Sequence, residues 1–118
     1  MELTDENYTT IIKNNDKPVF IDFYSQTCGP CQMLMKLVDE KLEAYGEEHG
    51  VQVVKCDVTK NQKLSSAFNI KSIPFTIVVM PDEKLKYAEV GLKEESYYFN
   101  LIDKLSGKES SFFSRLFS

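Results

Sequence analysis

The chain has 118 residues, of which 42% are hydrophobic and 27% charged, and its formal net charge is −4. That suits one domain with a real core. It excludes a basic field for nucleic acid, and no apolar run reaches the length of a membrane span.

The first residues, MELTDENYTT, are acidic and polar and lack the basic region and apolar core of a signal peptide. A cytoplasmic setting is therefore expected. Three cysteines are an odd number and too few for a disulfide-stapled scaffold. In a reducing compartment, a close pair is redox-active or metal-binding rather than structural.

Residues 4 to 14 predict a first helix, with Thr4 as cap, Asp5 and Glu6 in its first turn, and Tyr8, Ile11 and Ile12 on its apolar face. KPVFIDFY, residues 17 to 24, is β-branched and aromatic and predicts a buried strand interrupted by Asp22. From Pro30 the period changes. Met33, Leu34, Leu37, Val38, Lys41, Leu42 and Tyr45 fall mostly on one stripe of a helix that should reach Gly46 or His49, with Gly50 as stop.

VQVVKCDV, 51 to 58, predicts a second strand, 61 to 68 a short helix, and FTIVVM, 75 to 80, a third strand. PDEK makes a turn into LKYAEVG, 85 to 91, an antiparallel return. Residues 94 to 105 close with a helix carrying Tyr98, Leu101, Ile102 and Leu105. The order α-β-α-β-α-β-β-α implies a parallel front pair with a right-handed crossover and a mixed sheet covered by helices on both faces. The fold class is α/β.

On this map Cys28 lies at the mouth of the long helix, with Pro30 in its first turn, where a missing N–H costs nothing. Free backbone N–H groups and the helix dipole stabilise a thiolate there and lower its pKa. Cys31 is about one turn further in and able to bridge to Cys28. The first sulfur can attack a foreign disulfide and the second can resolve the mixed disulfide.

The competing reading is half of a structural zinc site, which needs four ligands. Cys56 and His49 are the only other good ones. His49 stands near the far end of the helix that Cys28 begins, and an 18-residue helix spans about 27 Å at 1.5 Å per residue, so the two cannot meet at one ion and no metal is expected.

FIDFYSQTCGPCQML, VVKCDV, IKSIPFTIVV and AEVG, in this order and spacing, resemble the thioredoxin family over about residues 3 to 105. Cys28-Gly29-Pro30-Cys31 and Ile73-Pro74 are the most specific parts. The resemblance implies a thioredoxin fold for residues 1–106; residues 107–118 follow the point where a thioredoxin would end, and Phe112, Phe113, Leu116 and Phe117, on one side of a helical pattern, predict a C-terminal amphipathic extension.

It also implies a thiol–disulfide oxidoreductase that reduces protein disulfides through Cys28 and Cys31. Disulfide-containing proteins would be its substrates, a reductase or a dithiol its electron donor, and no cofactor beyond the redox-active pair is expected. The Gly-Pro between the cysteines resembles reducing members, for which about −270 mV is typical.

By the same resemblance, Asp22 is the buried acid that helps deprotonate Cys31, and Lys55 the lysine beside that acid. Pro74 matches a cis-proline facing the cysteines, which leaves the Ile73 backbone free to bond an extended substrate. Thr27, Gly29, Pro30, Ile73, Pro74 and Gly91 form the expected substrate groove.

Other readings stay open. Asp22 and Lys55 could be solvated strand residues, Pro74 a plain turn, Gly91 a simple connection, and Cys56 either a buried small hydrophobe or a regulatory thiol.

Three departures stand out. Thr27 occupies the position where thioredoxins usually carry tryptophan, and the chain has none. Lys36 replaces the proline that usually kinks the helix. Phe75 follows Pro74 where a small hydroxyl residue is common, and is expected to return apolar surface near the site. The aromatic extension and the missing tryptophan favour the alternative function, an adaptor or binding module with little reductase activity.

Overall fold

A central strand built only of residues that can be buried organises the domain. β1 (Val19–Tyr24), sequence VFIDFY, is buried at all six positions, as a strand covered on both faces must be. The structure is a computed structural model that describes residues 1–106. The expected extension, 107–118, lies outside the described residues.

β2 (Gln52–Asp57) pairs parallel to β1, β3 (Phe75–Val79) pairs antiparallel on its other side, and β4 (Leu85–Val90) is antiparallel to β3. The order β2-β1-β3-β4 makes the expected mixed sheet. The hairpin turn closes through Glu83, whose φ is 67°.

Helices cover both faces. On one face, Ile21 and Phe23 pack with Ile11, Ile12 and Leu64, the last from α3 (Gln62–Ala67). On the other, Phe20 packs under Leu34, Val38 and Leu42, with Tyr98 and Ile102 of α4 (Glu95–Leu105).

The long helix runs from α1 (Gly29–Leu37) through a π-helical segment, Val38–Leu42, into α2 (Glu43–Glu48). Its buried residues Leu34, Val38, Leu42 and Gly46 recur every four positions. At about 100° per residue each such step over-rotates an α-helix by roughly 40°. The wider i→i+5 turn takes up that excess. A local irregularity therefore stands two residues after Lys36.

Gly50, with φ of 72°, ends the helix at the expected place. Gly46 is where helix and β2 approach most closely. A methyl group there would lie 2.6 Å from the Val51 carbonyl oxygen.

Two expectations are corrected. Met33 leaves the stripe and is 65% exposed, because the buried positions step by four from Leu34. The helix over 4–14 is realised as a capped turn and a π-helical segment, Thr9–Lys13. Thr4 Oγ1 accepts from the Asn7 N–H at 3.0 Å, while Asn7 Oδ1 accepts from the Thr4 N–H at 2.7 Å.

The residues before this turn are also structured. The Leu3 N–H donates to the Lys55 carbonyl at 2.7 Å, the Lys55 N–H donates to the Met1 carbonyl at 3.0 Å, and Leu3 is fully buried.

Candidate active site

Three chain segments converge at one end of the sheet. β1 leaves it into the loop that ends at Cys28. β3 enters it from Ile73-Pro74, since Phe23 pairs with Phe75. β4 leaves it into Gly91, since Val90 also pairs with Phe75. The Gly91 N–H donates to the Pro74 carbonyl at 2.8 Å, which ties the last two together. The Ile73–Pro74 peptide is cis and Pro74 is buried. Ile73 is half-buried, and among the described residues no backbone hydrogen bond engages it. Gly91 takes a φ of 90°, which favours glycine.

The loop is held at its base. The Cys28 N–H donates to the Ser25 carbonyl at 3.3 Å, and Gln32 Nε2 donates to the Gln26 carbonyl at 2.9 Å. Cys28 is the N-cap of α1, with extended backbone, and its Sγ accepts from the Cys31 N–H at 3.2 Å. Cys28 is half-buried, whereas Cys31 is fully buried.

The two are joined by a disulfide with Cα atoms 5.2 Å apart, inside the usual range for such a bridge. Thr27, Gly29 and Pro30 are exposed around it. Thr27 Oγ1 lies 3.4 Å from Ser25 Oγ, so a small polar group stands where a large ring was the family's pattern. Phe75 is half-buried and packs into the cluster of Ile21 and Phe23, facing away from α1.

Asp22 is fully buried on the sheet face that α1 covers, the face of Phe20 two residues before it. Burial pushes its carboxyl up to about 7; the charge of Lys55 pulls the other way, and Glu2 and Asp39 add to the rise. Neither carboxyl oxygen has a hydrogen-bond partner among the described residues. Lys55 is its in-register neighbour on β2 and is also buried.

The ammonium of Lys55 is aimed elsewhere than at Asp22. Nζ lies 2.7 Å from Asp39 Oδ1 and 3.5 Å from Glu2 Oε2. Burial would lower its pKa, but the hydrogen bond and charge of Asp39, then Glu2, outweigh this and lift it above the ordinary lysine value. Lys55 is thus a fixed cation beside Asp22, held by two other carboxylates.

Sequence reasoning missed Glu2 and Asp39, because both reach Lys55 through tertiary contacts. One signal was present: Asp39 lies two helical turns beyond Cys31, on a stretch already assigned to the covering helix.

Cys56 is fully buried on the opposite face, in the cluster with Ile21 and Val54. Burial pushes its thiol up to about 12, with Asp5 and Glu2 contributing. It packs as a small hydrophobe. His49 Nδ1 is engaged with the Tyr45 carbonyl at 2.8 Å. Among the described residues, no group of three or more His, Cys, Asp or Glu side chains could hold a metal ion, and no helix is long and apolar enough to cross a membrane.

A family model described as Thioredoxin matches residues 1–104. The thioredoxin of Rickettsia prowazekii (strain Madrid E) is 31% identical over 102 residues, which are 86% of this chain and 94% of that protein. The thioredoxin of Alicyclobacillus acidocaldarius is 41% identical over 78 residues, 66% of this chain and 71% of that one. The solved structure of a mutant thioredoxin from Halobacterium salinarum NRC-1 matches with a TM-score of 0.73 at 30% identity, covering 89% of this chain and 88% of that one.

Proposed function

The chain belongs to the thioredoxin family and is a protein-disulfide reductase; from that premise we propose how its own residues divide the work. Cys28 is the attacking thiolate. Its sulfur forms a bond to one sulfur of the substrate disulfide, and the other substrate sulfur leaves with the electron pair and takes a proton. Asp22, as carboxylate, then accepts the Cys31 proton. The Cys31 thiolate bonds to Cys28 Sγ, the Cys28–substrate bond breaks, and the second substrate sulfur departs with its electron pair.

The oxidised pair that results is returned to the dithiol by a reductase or a small dithiol, so no organic cofactor enters the cycle. The observation that carries this reading is the asymmetry of the pair. Cys28 is half-exposed and caps the helix, while Cys31, bonded to it, is sealed beneath.

The substrate would lie extended along Thr27, Gly29 and Pro30 on one side and Ile73, Pro74 and Gly91 on the other. The unengaged Ile73 backbone supports this, because an extended segment can add to it as a strand does. Lys55 supports Asp22 as a fixed positive charge that keeps the carboxylate accessible in a buried site. A reducing compartment, the cytoplasm, is where the dithiol form of the pair would work.

The test is a trap. A Cys31→Ser variant lacks the resolving sulfur and is expected to accumulate a mixed disulfide on Cys28 when incubated with a protein disulfide such as insulin. Non-reducing mass measurement of the adduct reads it out. If no adduct forms on Cys28 while wild type reduces the same substrate, the assignment of the two roles is wrong.

A further inference from the structure

The strand register lines up four polar residues across the sheet. Lys55 on β2 pairs with Asp22 on β1, Asp22 with Thr76 on β3, and Thr76 with Glu89 on β4. Residues directly opposite each other put their side chains on the same face. The row therefore runs beneath α1, on the side of the sheet where Cys31 is buried.

Thr76 is 1% exposed, and its hydroxyl makes no hydrogen bond to any of the described residues. Both oxygens of its neighbour Asp22 are equally without a partner among the described residues. Two orphaned polar groups side by side in a core are costly, and valine would fill the same space without that cost. Cross-strand partners hold their Cβ atoms about 4.5–5.5 Å apart, so a turn about χ1 brings a hydroxyl within reach of the carboxylate.

We propose that Thr76 is a positioning residue for the proton transfer at Asp22, its hydroxyl donating to the carboxylate and holding the charged form that accepts the Cys31 proton. This rests on the reading of Asp22 as the base for Cys31. Thr76 answers a specific imbalance. The charges set around Asp22 are one cation, Lys55, and two anions, Glu2 and Asp39. Lys55 is itself bonded to those two anions. No group among these donates a hydrogen bond to Asp22, whereas a hydroxyl can do so without adding charge.

The experiment compares wild type with Thr76→Val and Thr76→Ser in the full chain. The Asp22 carboxyl is titrated by carbon NMR in the reduced protein. In parallel, the resolving rate is followed against pH for a mixed disulfide between Cys28 and thionitrobenzoate. Valine is expected to raise the Asp22 midpoint by about one pH unit, a tenfold change in ionisation constant, with the rate profile moving alongside. Serine, which keeps the hydroxyl, is expected to restore both.

An unchanged midpoint in Thr76→Val, or a serine variant displaced as far as valine, overturns the proposal. A midpoint that moves while the rate profile stays put overturns the positioning role. If Asp22→Asn also leaves that profile unchanged, the assignment of Asp22 fails with it; if Asp22→Asn alters it, only the role of Thr76 is lost.

Discussion

Replacing Cys28 by serine is expected to cut disulfide reduction by roughly a thousandfold or more, to the background given by the dithiol donor alone. The structure makes this a test of chemistry rather than of folding. Cys28 Sγ accepts the Cys31 N–H at the start of α1, and a serine hydroxyl is among the best acceptors for that position. The half-buried site tolerates the smaller atom. The helix should therefore keep its cap while the protein loses its nucleophile, because an alcohol does not ionise in the range where a thiol does. Insulin reduction measures the loss, and the unfolding midpoint of reduced wild type against reduced variant checks the fold. A variant that retained a tenth of the activity would remove Cys28 from its role.

The second large effect concerns Asp22 and stability. Its carboxyl is lifted from 3.8 to about 7 by burial, opposed by Lys55. Between those two values the folded protein binds a proton that the unfolded chain has released. Stability must then fall as pH rises from about 4 to about 7. A shift of this size corresponds to about 4 kcal/mol as an upper figure.

Asp22→Asn removes the titration. It is expected to leave the oxidised protein more stable than wild type by about 2–4 kcal/mol at pH 8, and to show little difference near pH 4. Urea midpoints at the two pH values check this. A gain that is the same at both would show that the asparagine acts through packing and that the buried charge is not the cause. The same variant should slow the resolving step, so stability and activity would move in opposite directions at one residue.

Such opposition explains how much of this protein could be read in its sequence. The strands were legible because β1 is an apolar run broken only by Asp22, and residues 53–56 within β2 one broken only by Lys55, and a charged group in such a run points to chemistry. The cysteine pair was legible because a helix start, a proline and two thiols one turn apart are all local features. The end of the long helix was marked by Gly50.

What escaped was set by distance along the chain or by the fine period of a helix. The π-helical segment at Val38–Leu42 is written in the four-residue spacing of Leu34, Val38 and Leu42, which an α-helical stripe averages away. That averaging placed Met33 on the covered face. The clasp of Lys55 by Glu2 and Asp39 joins three separate segments, and no local pattern contains it. Thr76 reads in sequence as an ordinary strand residue. Only the register that sets it opposite Asp22 shows that a hydroxyl faces the acid.

The most direct measurement is the rate of iodoacetamide alkylation of Cys28 in the reduced protein as a function of pH. A thiolate exposed at a helix start predicts fast modification at neutral pH, with a midpoint well below the value of about 8.5 found for a free thiol, while buried Cys31 and Cys56 stay unmodified. A Cys28 that titrates like free cysteine, or that reacts no faster than Cys56, would contradict the account at its foundation.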